Sequence, residues 1–183
     1  GGFLAMKNDI ALIPQDPEIF ATTIRENITM GMDRTTAEIR RFTDLARFTS
    51  VLERLPKGLK SSVVERGVNL SGGEKQRLAP ARGLLASEEK SLILLDESTS
   101  SVDPHNEIAI YENIFESYQD KTIIASIHKL HLLRLFDTIY IFEKGEISAS
   151  GSFSELLTSS PAFATMWQKY SETTHDLPLP ESK

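Results

Sequence analysis

Four short apolar runs along the chain have the length and the β-branched content of strands. They are Ile10–Ile13, Leu92–Leu95, Thr122–Ser126 and Thr138–Phe142. Helical stretches separate the last three runs, and this alternation of strands with helices indicates a parallel sheet with right-handed crossovers. Directly after the fourth run, the turn-forming sequence Glu143–Glu146 predicts a hairpin into Ile147–Ala149.

Capping residues mark the starts of two helices. Thr35 and Glu38 have the spacing of a capping box, and the apolar positions that follow predict one helix reaching the breaker at Pro56–Gly58. Asp103 before Pro104 has the pattern of an N-cap followed by a first-turn proline. The helix that it opens carries one apolar stripe, made of Ile108, Tyr111, Phe115 and Tyr118.

These patterns predict an α/β fold in a chain of 183 residues, about the size of one domain. We divide it into four segments. Residues 1–14 hold a remnant N-terminal strand, residues 15–88 form a helical subdomain, and residues 89–157 form an α/β layer. Residues 158–183 hold a C-terminal helix and a loose tail.

Composition excludes several classes of function. The net charge of −6 offers no basic face for nucleic acid, and the absence of cysteine removes disulfides and thiol catalysis. No apolar run approaches the roughly 18 residues of a membrane-spanning helix. The four histidines do not have the spacing of a metal cluster, and we expect His105 and His131 at the surface.

The sharpest local motif is LSGGEKQR at Leu70–Arg77. Ser71 and Glu74 form a capping box that opens a helix, but a capping box does not explain Gly72 and Gly73. Glycines at a helix start lower helix stability, yet they let a ligand approach the first backbone N–H groups. At this end of the helix the dipole favours an anion. From the residues alone, a phosphate site and a merely structural helix start are equally good interpretations.

A second motif is LILLDE at Leu92–Glu97, a buried strand that ends in two acids. Ligands of open α/β sheets bind at the carboxyl ends of the strands. Asp96 could there hold Mg²⁺ through water, and Glu97 could polarise an attacking water. A strand that merely runs into a polar loop explains the pattern equally well.

Taken together, the motifs resemble the ABC (ATP-binding cassette) ATPase family. LSGGEKQR and LILLDE are followed by Ser100–Asp103 and by a lone His128 after a β-rich strand. Upstream, IPQDP with Phe20, and then TIREN, are similar to the family's Q-loop in its exporter branch. The matching motifs span residues 10 to about 157 in the family's order.

The resemblance implies roles for the matching residues. At the composite nucleotide site, Ser71, Gly72, Gly73 and Glu74 would contact ATP held by the opposite subunit of a dimer. Asp96 would be the Mg²⁺-linked Walker B aspartate and Glu97 the general base. His128 would be the switch histidine that contacts the γ-phosphate.

Further residues take roles around this centre by the same resemblance. Gln15 would reach the Mg²⁺ or the water, and Asp103 would be the D-loop residue that faces the partner's site. Glu65, Arg66 and Gly67 would form the contact loop to the membrane domain. The implied fold is a partial RecA-like P-loop NTPase sheet with a helical signature subdomain.

The resemblance also implies a cellular setting. The cofactors would be ATP and Mg²⁺, and the partners would be a second ABC domain and the transmembrane domain of an exporter, with no nucleic acid. The location would be the cytoplasmic face of a membrane. Two alternatives stay open, namely a soluble ABC ATPase without a membrane partner and a non-catalytic scaffold piece.

Three departures from the family pattern stand out. The chain contains no Gly-x-x-x-x-Gly-Lys-[Ser/Thr], so we expect it to begin inside the domain and to be inactive by itself. The family usually has glutamine where Glu74 stands. Pro80 falls in the interior of the helix that follows the signature, where proline costs ~3 kcal/mol, so we expect a kink there.

Overall fold

The computed structural model of the chain describes residues 9–63 and 69–173. They form two compact units that divide between Ser126 and Ile127. The four segments predicted from sequence have other boundaries and stay a prediction. The predicted loose tail beyond residue 173 lies outside the described residues.

A parallel sheet of three strands is the centre of the first unit, which confirms the predicted α/β class. The strands are β1 (Ile10–Ile13), β2 (Leu92–Asp96) and β3 (Thr122–Ser126), in the order β1-β2-β3. Leu12 pairs with Leu94, and Leu94 pairs with Ile124. Leu12 and Ile124 are exposed, whereas Ile13, Ile93 and Leu95 on the opposite face are buried.

Short helices follow β1 and form the predicted helical region. They are α1 (Ile24–Thr29), α2 (Thr36–Leu45), α3 (Thr49–Arg54) and a 3-10 turn at Gly58–Lys60. The predicted single helix from Thr35 to Pro56 is wrong, because Arg47 adopts φ +57° between α2 and α3. A left-handed residue cannot continue a right-handed helix, and periodicity does not register such a break.

Helix α4 (Gly72–Ala86) packs on the buried face of the sheet. A Cβ placed on Gly83 would stand 2.5 Å from Cγ1 of Ile13, so only glycine lets the helix come this close. The helix is continuous through Pro80, which is itself buried. The proline therefore does not end the helix, although it has no N–H to donate to the preceding turn. The expected kink stays a prediction.

Helix α5 (Pro104–Ser117) connects β2 to β3 and begins where the sequence predicts. Asp103 is its N-cap, with Pro104 in the first turn. Ile108, Tyr111 and Tyr118 of the predicted stripe are buried, together with Ile110 and Ile114. The buried face of the helix is therefore wider than the predicted stripe.

Besides a 3-10 helix at Leu130–Leu135, the described part of the second unit contains a two-stranded antiparallel sheet and two α-helices. They are β4 (Ile139–Glu143), β5 (Glu146–Gly151), α6 (Phe153–Ser159) and α7 (Pro161–Thr173). The predicted hairpin is confirmed, with Lys144 at φ +52° and Gly145 at φ +79°. The prediction that the fourth apolar run joins the parallel sheet is wrong, since β4 pairs with β5 in a separate sheet.

Three aromatic and three aliphatic side chains form the core of the second unit, namely Phe153, Phe163, Trp167, Leu133, Ile139 and Leu156. Phe153 packs edge-on against Phe163 and Trp167, with ring centroids 5.6 and 4.8 Å away. The Arg134 guanidinium lies 5.2 Å from the centroid of the Trp167 ring. Along the described stretches of both units, no helix combines the length and apolar character needed to cross a membrane.

Candidate functional site

Two acidic residues stand at the carboxyl end of β2. Asp96 is the last residue of the strand and is exposed. Its Oδ1 accepts a hydrogen bond of 3.0 Å from Oγ of Ser126, its register partner at the end of β3. Parallel strands end at one edge of the sheet, and this edge is where open α/β sheets bind ligands. The sequence pattern did not single out Ser126.

Glu97 leaves the strand with a left-handed backbone, at φ +47°. This conformation costs a non-glycine residue free energy and is concentrated at functional sites. The segment that follows is fixed by a buried bond of 2.6 Å from Thr99 Oγ1 to Glu107 Oε2. Burial, with Glu107 nearby, raises the pKa of Tyr111 beneath this segment far above its ordinary value. The segment after Glu97 is therefore joined to the helix that contains Glu107 by a buried hydrogen bond.

The start of α4 has the capping-box geometry that the sequence predicts. Ser71 Oγ accepts from the Glu74 amide at 3.1 Å, and Glu74 Oε1 accepts from the Ser71 amide at 3.0 Å. Glu74 also contacts Arg54. Burial opposes ionisation of Glu74, but the bonds from the Ser71 amide and from Arg54 outweigh it and lower its pKa.

The two glycines at this helix start have different surroundings. A Cβ on Gly72 would meet no atom within 4 Å, so its side of the helix start is open. A Cβ on Gly73 would stand 2.7 Å from the carbonyl oxygen of Ser101. Gly73 is thus required by packing within the chain, whereas Gly72 leaves space for a ligand.

Asp103 ends the segment that begins at Glu97. Its Oδ1 accepts from the Asn106 amide at 3.1 Å, and its Oδ2 accepts from Asn106 Nδ2 at 2.6 Å. Burial alone would raise the pKa of Asp103, but these bonds and the charge of Arg77 hold it below its ordinary value. The predicted N-cap is confirmed, and the carboxylate is held ionised.

Gln76 connects the helix start to two other segments, and sequence patterns did not single it out. It is buried one turn into α4. Its Nε2 donates to the Gln15 carbonyl oxygen at 3.0 Å and to Ser100 Oγ at 2.9 Å, and its Oε1 accepts from the Ser101 amide. The structure thus brings together the Gln15 segment, the helix start and the segment after β2.

The remaining candidates lie as follows. The Gln15 side chain is exposed, while its carbonyl is bound by Gln76. His128 is exposed in the unit that begins at Ile127.

His105 is exposed as expected, but the expectation of a surface position for His131 is wrong. It is buried, with Nδ1 2.6 Å from the Tyr170 hydroxyl. Glu65, Arg66 and Gly67 lie outside the described residues.

The ends of β2 and β3 suit a magnesium ion whose other ligands are waters and substrate phosphates. Asp96 offers an exposed carboxylate and Ser126 a hydroxyl, and oxygen donors are what Mg²⁺ prefers. No group of three or more acidic or histidine side chains that could form a metal cage occurs among residues 9–63 and 69–173. Magnesium commonly uses one or two carboxylates together with waters and substrate phosphates, so the residues present fit it.

Comparison with known protein families identifies one family that matches this chain. A model of the ABC transporter family matches residues 4–100, more than half of the chain. Gln15, Ser71–Glu74, Asp96 and Glu97 fall inside the matched range, while Asp103 and His128 lie beyond it.

Individual relatives cover most of the chain. ABC transporter B family member 19 of Arabidopsis thaliana is 37% identical over 162 residues, which are 88% of this chain and 13% of the relative. The multidrug resistance ABC transporter ATP-binding and permease protein of Lactococcus lactis is 37% identical over 160 residues, covering 86% of this chain and 27% of the relative.

A solved structure agrees with these relatives. A bacterial Atm1-family ABC exporter with ATP bound has a TM-score of 0.77 and 32% sequence identity to this chain. The match covers 94% of this chain and 29% of the exporter chain. The chain thus spans less than a third of the length of each of these three proteins.

Proposed function

The chain belongs to the ABC transporter family, and on this premise we propose that it contributes to an ATP-hydrolysing domain of an exporter. The observation that carries the proposal is the Asp96–Glu97 pair at the carboxyl edge of the parallel sheet, with Glu97 in a left-handed backbone conformation. The reaction is transfer of the γ-phosphoryl group of ATP to water, and its free energy drives transport.

Glu97 is the general base of this reaction. Its carboxylate accepts a proton as a water oxygen bonds to the γ-phosphorus and the bond to ADP breaks, which leaves ADP and phosphate. The left-handed conformation turns Glu97 out of the strand direction that Asp96 follows. Strain of this kind persists only where the surroundings over-determine it, and the Thr99–Glu107 bond supplies part of that support.

Asp96 would hold Mg²⁺ through a water, and the ion would supply positive charge to offset that of the phosphates. Ser126 supports this role, because its hydroxyl donates to Oδ1 and fixes the carboxylate. Gln15, whose side chain is exposed, would contact the ion or the attacking water. His128 contacts the γ-phosphate, and this assignment rests on its position in the chain after β3.

Ser71, Gly72 and Gly73 bind the γ-phosphate of ATP held by a second ABC domain. The start of α4 presents backbone N–H groups together with the positive end of the helix dipole. Gly72 leaves that end open, and Glu74 completes the capping box behind it. Asp103 lies in the segment that packs on Gly73, and it faces the partner's nucleotide.

The partners that follow are a second ABC domain and a transmembrane domain. The Lactococcus relative is named as an ATP-binding and permease protein, which joins both parts in one chain. We place this domain at the cytoplasmic face of a membrane, with Glu65, Arg66 and Gly67 contacting the transmembrane part.

Hydrogen exchange in the natural full-length protein tests the phosphate site. Two helices, α2 and α4, begin with complete capping boxes, but only α4 has glycines after the cap. Mg²⁺-ATP should slow exchange of the amides of Gly72 and Gly73, because those of Ser71 and Glu74 already donate within the capping box. The corresponding amides at residues 36 and 37 should be unchanged. Equal protection at both helix starts, or none at Gly72 and Gly73, would contradict the proposal.

A further inference from the structure

A single buried amide joins three segments of the first unit. Gln76 is only 3% exposed, and it lies on α4 one turn after the N-cap Ser71. A primary amide has two N–H donors and one carbonyl oxygen. In Gln76 the donors reach the Gln15 carbonyl and the Ser100 hydroxyl, and the oxygen accepts from the Ser101 amide.

The three contacts come from parts of the chain that are far apart in sequence. Gln15 follows β1, Ser100 and Ser101 follow β2, and Gln76 stands between them on α4. Gly73 brings the backbone of α4 against Ser101 on the same side, one turn before Gln76. Both sets of contacts fix the distance between the helix and the segment after β2.

The burial of Gln76 makes these contacts mutually dependent. Withdrawal of the Gln15 carbonyl or of Ser101 leaves a buried polar group without its partner, which costs more than the bond itself contributes. A displacement of the Gln15 carbonyl therefore strains its bond to the Gln76 amide and, through that amide, the bonds to Ser100 and Ser101. An apolar side chain of the same length would fill the space without transmitting the movement.

We propose that Gln76 is a positioning residue that couples the Gln15 segment to the Ser100–Ser101 segment. Its amide holds both segments on α4, so that a displacement of one changes the position of the other and of the turn at Glu97. The inference rests on the proposed function only for the roles of Gln15 and Glu97. The coupling itself is a property of the chain without nucleotide.

Amide exchange in the nucleotide-free chain tests the contacts, with NMR detection at single residues. Gln76→Met keeps the volume of the side chain and removes its polar atoms. We expect the Ser101 amide to exchange about 10- to 100-fold faster in this variant, because its buried acceptor is lost. Gln168→Met is the matched control at an exposed helical glutamine and should leave Ser101 unchanged. An unchanged Ser101 rate in Gln76→Met would overturn the proposal.

A second perturbation separates coupling from local packing. Pro17→Ala alters the backbone next to Gln15 and should shift the amide resonances of Ser100 and Ser101 in the otherwise unmodified chain. In the Gln76→Met background most of that shift should disappear. A shift of the same size in both backgrounds would show that Gln76 does not transmit the change.

The unmodified chain provides a measurement that does not depend on the fold of any variant. The side-chain NH₂ protons of Gln76 should exchange at least about tenfold more slowly than those of the exposed Gln168, because both protons are bonded inside the protein. Equal rates at the two glutamines would overturn the proposal. None of these experiments uses ATP, so a failure of the proposed hydrolysis leaves their outcome unaffected.

Discussion

Gly73 and Ser101 are in such close contact that a Cβ on the glycine would stand 2.7 Å from the serine carbonyl oxygen. The contact is between backbone atoms, so a rotamer change cannot relieve it. It joins the start of α4 to the segment after β2. The second glycine of LSGGEKQR is therefore explained by packing within the chain, and only Gly72 leaves open space.

Gly73→Ala and Gly72→Ala should have different effects on stability. Gly73→Ala should lower the free energy of unfolding by about 1–3 kcal/mol, because the new methyl group forces α4 away from Ser101. Gly72→Ala should be neutral or stabilising by up to about 1 kcal/mol, since nothing stands near it. Urea unfolding of the two variants measures both changes. An equal loss of unfolding free energy in the two would contradict the packing explanation.

A fall in pH should lower the free energy of unfolding through protonation of Glu74. The pKa of Glu74 is lower in the folded state than in the unfolded chain, so folding favours the ionised form. Its contribution to stability is present above the unfolded-state pKa and is lost as the pH falls through the folded-state value. The free energy of unfolding should therefore decrease between about pH 5 and pH 3.

Glu74→Gln isolates this contribution, because glutamine keeps the capping-box acceptor and removes the charge. The variant should have a shallower dependence of unfolding free energy on pH in the same range. Arg54→Met should change the slope in the same direction, since it removes the cation that contacts Glu74. A slope unaltered in both variants would show that Glu74 does not contribute.

Relief of the backbone strain at Glu97 should raise stability even when it removes the proposed general base. Glycine adopts φ +47° without steric cost, so Glu97→Gly should raise the free energy of unfolding by about 0.5–1 kcal/mol. Glu112→Gly, at an exposed position inside α5, is the control and should lower it by about 1 kcal/mol. Thermal or urea unfolding compares the two, and a loss of stability in Glu97→Gly would argue against strain at this position.

Much of the fold was accessible from sequence because its signals are local. The strand runs, the capping boxes and the Asp103-Pro104 start all depend on neighbouring residues, and each was confirmed. The break at Arg47 and the separate pairing of β4 were missed. A left-handed arginine has no sequence signature, and the choice of strand partner depends on contacts distant in the chain.

The candidate site was accessible only in part, for a related reason. Motifs singled out Ser71, Asp96 and Glu97, whose proposed roles depend on their own segments. The contributions of Gln76, Ser126 and Gly73 depend on groups that arrive from other elements. His131 was misplaced because burial of a histidine depends on its partner, here Tyr170, and not on its neighbours in sequence.

The most direct test of the account is ATP turnover by the natural full-length protein carrying Glu97→Gln, with Glu112→Gln on the exposed side of α5 as the matched control. Loss of a general base lowers the rate by about 10²–10⁴-fold. We expect a loss of this size in Glu97→Gln with ATP still bound, and an unchanged rate in Glu112→Gln. Turnover at the unmodified rate in Glu97→Gln would remove Glu97 from the reaction and contradict the account.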